Sequence, residues 1–161
     1  MYLEKSKQIL PELIHPDEWI PCSDAEIGLL ESALGLPIPA AFKEFLAWIG
    51  KGAGDFMMGS DFYYECMFGL REDAQELLDE NNFPKPLPND AIVFFMHQGY
   101  QFAFIKVSDG NHSPVYYYNE AYHDTDFKCT DSFDEYLTGR IRTAMQIDAY
   151  RVQLRAQRNA D

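Results

Sequence analysis

A chain of 161 residues with 47% apolar and 15% aromatic side chains has the size and composition of one folded domain, which excludes a disordered tail. Its net charge of −13 argues against nucleic acid or an anionic membrane as partner, because both would repel it. No apolar run approaches the roughly 18–20 residues of a spanning helix. The charged Met1–Lys7 start is unlike a signal peptide, and the odd, widely spaced Cys22, Cys66 and Cys129 point to reduced thiols in a cytoplasmic protein.

Residues 2–10 read as a short helix stopped by Pro11. Ser23-Asp24-Ala25-Glu26 is a capping box, and Ile27, Leu30 and Leu34 continue from it as one apolar stripe. Gly35 is placed to end that helix in the left-handed conformation. Pro39 suits the first turn of the next helix, over about 40–49, with Phe42, Phe45, Leu46 and Ile49 inward; Gly50, Gly52 and Gly54 close it in a flexible turn.

The aromatic run Phe62–Phe68 predicts a strand. Residues 72–80 predict a helix with Ala74, Leu77 and Leu78 inward and Glu72, Asp73, Glu76, Asp79 and Glu80 in water. Beyond a proline-rich connector, Ala91–Met96 and Tyr100–Val107 form a hairpin around His97-Gln98-Gly99. Pro114–Asn119 and Phe127–Cys129 are further strands. Ser132-Phe133-Asp134-Glu135 is a second capping box that opens a long helix, with arginines in its last turns. Helices first, then strands, then a helix predict an α+β fold. It is a largely antiparallel sheet flanked by N-terminal helices and a long C-terminal helix, in one domain over 1–161 with its core at 23–145 and a helical extension at 146–161.

The charge is unevenly placed. Residues 1–51 hold eight acids and four bases, residues 52–135 sixteen and four, and residues 136–161 two and five. The middle section carries −12 and should attract a basic protein.

The run Ile27–Leu46 resembles the N-terminal signature of the SUKH superfamily, the Smi/Knr-type proteins. Leu34-Gly35, Pro39, Phe42, Phe45-Leu46 and Gly50/Gly52 occupy the places of its turn, its aromatic helix and its glycine-rich close. Phe68-Gly69-Leu70 resembles the family's strand-to-loop step, Ile92–Val107 its hairpin and Ser132–Leu137 its closing helix, so the likeness spans most of 23–145. The family's usual Asn-Gly-Gly is Gly50-Lys51-Gly52 here. The resemblance implies a fold without known enzymatic activity. Many bacterial members are immunity proteins that neutralise toxin domains, often nucleases, and fungal relatives regulate cell-wall synthesis through protein contacts.

Catalytic and metal chemistry find little support in the residues. His15, His97, His112 and His123 lie on a linker and on turns without metal-ligand spacing, and His123-Asp124 with Asp126 reads as a solvated loop. Cys66 and Cys129 read as core fillers, and Gly50–Gly54 follows a helix where a phosphate cradle would open one. No catalytic residue, cofactor or metal is expected.

A partner surface is expected on the aromatic, acidic strands: Tyr63, Tyr64 and Glu65 on one, Tyr116, Tyr118, Glu120 and Tyr122 on another, running into Asp124 and Asp126. If helices cover one sheet face, alternation leaves a row of tyrosines open on the other. The expected function is non-enzymatic: an immunity protein that binds a basic toxin domain, such as a nuclease or another nucleic-acid-modifying enzyme. The alternatives are a regulatory or scaffold protein of the same fold without a toxin, and a small-molecule-binding domain.

Overall fold

The computed structural model describes residues 1–130 and 132–160; Asp131 and Asp161, both counted in the charge balance, lie outside the described residues. The helices begin and end where local chemistry directs. Helix α1 (Glu4–Ile9) gives way to a 3-10 turn, Leu10–Glu12, whose early position Pro11 tolerates. Strand β1 (Trp19–Ile20) precedes α2 (Asp24–Leu34). At its start Ser23 Oγ accepts from Glu26 N at 3.2 Å while the Glu26 carboxylate accepts from Ser23 N at 2.8 Å. Gly35 ends α2 at φ +66°.

Pro39 is the N-cap of α3 (Ala40–Ile49), which buries Phe42, Phe45, Leu46 and Ile49. At its end Gly50 has a second duty. A Cβ there would sit 2.5 Å from the Leu46 carbonyl oxygen and 2.7 Å from Cys22 Sγ, so only glycine lets the chain pass. What read as a flexible glycine turn is partly ordered, because β2 (Gly52–Ala53) pairs antiparallel with β1.

The strand expected at Phe62–Phe68 is not formed. A single bridge joins Asp61 to Met96, with N–H···O bonds of 2.8 and 2.9 Å, and Tyr64–Phe68 then turns as a 3-10 helix. Tertiary partners outweigh strand propensity here. Phe62 is fully buried against Phe45 and Phe56, Tyr64 N donates to Gly50 O at 2.8 Å, and Tyr64 Oη donates to Glu26 O at 2.8 Å. These bonds draw the segment toward α2 and α3 and away from the sheet edge.

Helix α4 (Leu70–Glu80) follows, with Leu70, Ala74, Leu77 and Leu78 buried. The main sheet is antiparallel in the order β3 (Ala91–His97), β4 (Gln101–Lys106), β5 (Tyr116–Asn119), β6 (Lys128–Cys129). The register steps between Val93↔Phe104 and Phe95↔Ala103, a bulge that turns Phe94 and Phe95 onto one face. On that face lie α3 and the long α5 (Phe133–Ala160), whose Phe133, Leu137 and Ile141 join the core cluster. On the other face Val93, Met96, Phe102, Phe104 and Tyr118 pack under α4. The architecture is α+β, with helices on both faces of the sheet.

The N-terminus is fastened by acids. Glu44 accepts from Tyr2 N at 2.7 Å and from Lys7 Nζ at 2.8 Å, while Asp134 accepts from Ser6 Oγ at 2.6 Å and from Ser6 N at 3.0 Å. Burial works against the Glu44 charge, but Lys7 and the Tyr2 N–H outweigh it and hold the carboxyl below its usual range. Lys43, with the Ile38 N–H, does the same for Glu31.

Two outcomes follow for stability. Phe94→Ala removes a buried ring in contact with Phe42, Phe62, Phe133 and Tyr136, and should cost about 3–5 kcal/mol in urea denaturation. The folded pKa values of Glu31 and Glu44 lie below their unfolded ones, so their stabilisation is present above about pH 4.3 and is lost as pH falls through the folded values. The urea midpoint should drop on acidification, and Glu44→Gln should flatten part of that drop.

Candidate protein-binding surface

The predicted partner residues separate into two groups. Tyr63, Tyr64 and Glu65 lie at the 3-10 helix before α4, not on a strand. Tyr63 Oη donates to Phe56 O at 2.7 Å, and burial pushes its phenol upward in pKa, as it does that of Tyr64. Tyr64 is 8% exposed and already bonded to Glu26, so it supports the surface from beneath. Glu65 is exposed.

The second group is held by β5 and the segment after it. Alternation along β5 is as expected: Tyr116 and Tyr118 share one face, Val115 and Tyr117 the other. The open row of tyrosines is not there, because α4 and the chain following it cover that face. Tyr118 is 6% exposed, with its ring 5.0 Å from Phe83 and 5.6 Å from Phe102. Tyr116 stacks 5.2 Å from Phe104, with Lys106 Nζ 4.7 Å over its ring and its hydroxyl donating to Asp109 at 2.9 Å. Burial raises the pKa of both phenols, so both stay neutral hydrogen-bonding groups.

Beyond β5 the chain surfaces. Asn119 accepts from Ala121 N at 3.0 Å to start a 3-10 turn, and His123 leaves it at φ +53°. Tyr122 is 55% exposed, with Lys128 Nζ 4.7 Å over its ring. Glu120 accepts from Asn81 Nδ2 at 3.3 Å, at the end of α4. Asp124 lies 3.7 Å from Lys128, and Asp126 lies 2.6 Å from Lys85, whose bond pulls that carboxyl down in pKa. Phe83 also packs 4.9 Å from Phe127. The segment 119–127 therefore rests on the end of α4 and the loop after it.

Those contacts bring in residues left out of the sequence-derived partner set. Glu72, Asp73, Glu76, Asp79 and Glu80 line the outer side of α4, all exposed. None is in an ion pair among the described residues, although Asp79 accepts from Gln75 Nε2 at 2.9 Å. The helix's own base, Arg71, is turned inward to donate to the Ala91 and Pro88 carbonyls at 2.9 and 3.0 Å. The sequence signal was five acids in the nine residues 72–80 with no base among them.

The acids of the N-terminal section are placed differently. Glu26, Glu31 and Glu44 pair with Lys51, Lys43 and Lys7 at 2.8 Å each, and Lys5 pairs with Glu135. Glu4, Glu12, Glu18 and Asp24 are also outside any ion pair among the described residues, but they are scattered along the first 24 residues, whereas α4 gathers five unpaired acids within nine residues. Acids also occupy its last turn, where the helix dipole favours cations.

The thiols need one correction. Cys22 is buried, and burial pushes it up to about 11. Neither of the other two is a full core filler: Cys66 is half-buried because its segment forms a 3-10 helix rather than a strand, and Cys129 is exposed because the two-residue β6 at the sheet edge leaves both of its side chains open to water. No three His, Cys, Asp or Glu side chains among the described residues converge as a metal site, and no helix among them is long and apolar enough to cross a membrane.

Two comparisons bear on the family of this chain. The chain is similar to "Immunity protein YxxD" of Bacillus subtilis (strain 168), at 27% identity over 111 residues that cover 64% of this chain and 74% of that protein. Residues 21–139, from the segment before the capped α2 into the first turns of α5, match the SMI1 / KNR4 family (SUKH-1), and this chain belongs to it.

Proposed function

We propose that the chain is an immunity protein that binds a cognate bacterial toxin and covers its working surface, without making or breaking a bond. The observation that carries the reading is the row of unpaired carboxylates on α4, continued by Glu120 and the exposed 119–126 segment, in a chain of this family. The similarity to an immunity protein supports the same role.

The chemistry of the partner follows from the sign of the face. A toxin domain that acts on nucleic acid holds phosphates with Lys and Arg, so its substrate site is basic. An acidic helix face with a fixed rim beside it would meet such a site, raise the association rate and leave no room for the substrate. Within this reading Glu120, Tyr122, Asp124 and Asp126 form one rim. Tyr63, Tyr116 and Glu65 are outlying contacts, and Tyr64 and Tyr118 position the surface from inside. The whole chain acts as one SUKH-like domain of the cytoplasm.

The decisive test is co-expression with the product of the neighbouring reading frame. Protection of the cells and a co-purifying complex are expected; a neighbour without a toxin domain, or cells that still die, would overturn the reading. Reversing Glu72, Glu76, Asp79 and Glu120 to Lys should slow association by about tenfold or more and flatten its salt dependence. Stability should move the other way. Glu80→Lys places a cation at the C-terminal end of α4 and should add about 0.3–1 kcal/mol in thermal or urea unfolding at low salt, while weakening toxin binding.

A further inference from the structure

We propose that the arginine-bearing outer half of α5 docks on the acidic face of α4 in a second copy of this chain. The starting point is how the positive charges are used. All seven lysines lie within ion-pair distance of a carboxylate, whereas none of the six arginines does so among the described residues. Arg71 serves carbonyls, and Arg140 lies 4.4 Å over the Phe95 ring. The other four, Arg142, Arg151, Arg155 and Arg158, are exposed on α5.

That half of the helix is only partly covered, through Ala144 and Met145, which pack against the core. The buried residues of α5 end at Ile141, and the family match ends at residue 139. Beyond them Ile147, Tyr150 and Val152 are 48–63% exposed. Beside them an open groove of about 250 Å³ is lined by Phe56, Met57, Met58, Arg140, Ile147 and Arg151. Helices in proteins draw most of their stability from packing an apolar face, and this arm has that packing only in part. Apolar side chains interleaved with guanidinium groups form the composition of a protein interface, since Arg binds carboxylates in a fixed fork and loses little entropy in doing so.

The occupant is chosen by charge. A surface of unpaired arginines in an otherwise acidic molecule calls for unpaired carboxylates, and the α4 face of the same chain carries five. Within one molecule they are kept apart, because α5 packs on the Phe94 face of the sheet and α4 on the Phe104 face. Between two molecules they can meet. The contact is head-to-tail, so one copy of the pair keeps its acidic face free and the other its basic face. It uses the face assigned above to a toxin but does not depend on a toxin existing; where one does, the two compete.

Salt should act in two directions. Two molecules of −13 repel at very low ionic strength. At about 0.15 M the screening length of about 8 Å removes most of that long-range repulsion and spares the contact pairs, and higher salt weakens the pairs as well. Association is therefore strongest at intermediate salt.

Sedimentation of the full chain in reducing buffer, from about 10 to about 500 μM at about 0.15 M salt, tests this. The average mass should rise with concentration. Two variants, Arg151→Gln/Arg155→Gln/Arg158→Gln and Glu72→Gln/Glu76→Gln/Glu80→Gln, should each associate at least about tenfold more weakly alone. Mixed together, they should form a one-to-one dimer that grows no further, because one variant keeps the acidic face and the other the arginines. Loss of helix in the arginine variant would not affect that mixture, which uses only its α4. A monomer at every concentration, association unchanged by either variant, or a mixture that fails to dimerise would overturn the proposal. Where association is lost in the arginine variant but not restored by mixing, the proposal is overturned in its α4 half and α5 docks on another acidic surface of the second copy.

Discussion

The bulge at Phe94 places two consecutive aromatic side chains of β3 on one face of the sheet, and most of the remaining architecture responds to it. Phe94 sits in edge-to-face or tilted contact with Phe42 and Phe62, with Phe133 of α5 and with Tyr136, at centroid distances of 5.2–6.4 Å. Rings at such angles match the positive edge of one to the negative face of another, so the cluster adds orientation to apolar burial. Because the bulge assigns Phe94 and Phe95 to α3 and α5, Val93 and Met96 turn to the opposite face. That second apolar face needs a cover, which α4 supplies through Leu70, Ala74, Leu77 and Leu78. The outer side of α4 is left to water and is free to carry charge.

The distribution of that charge follows a division of labour. Lysines neutralise carboxylates locally, mostly at 2.6–2.8 Å and on the surface, where such pairs contribute little to stability. Their larger effect is on the field of the molecule. Where each acid has a base beside it, the far potential cancels; on α4 it does not. The acids in its last turn oppose the helix dipole, a local cost that folding alone does not require.

The tyrosines take a structural part that charge alone would not reveal. Tyr118 lies between Phe83 and Phe102, and Phe127 closes the same aromatic group. This pedestal fixes the segment from Glu120 to Asp126 against the end of α4, joined also by the Asn81–Glu120 and Lys85–Asp126 contacts. A loop held at several points presents its carboxylates with less entropy to lose on docking.

Local chemistry in the sequence determined the capping box at Ser23, the left-handed Gly35, the inward stripes of α3 and α4, the hairpin and the start of α5, because each depends on residues within a few positions of one another. The order of those pieces was enough to place the chain in its family, and the run of acids was enough to locate the excess charge. Tertiary structure alone decided the rest. Phe62–Phe68 has strand-forming side chains, yet hydrogen bonds to Gly50 and Glu26, far away in sequence, bend it into a 3-10 turn. The alternation of β5 was legible but its exposure was not, since whether one sheet face or two are covered depends on where α4 packs. For the same reason the proposed partner surface lies on a helix face where the sequence pointed to a tyrosine face: sequence shows which acids exist, and only the folded chain shows which of them have a base within reach.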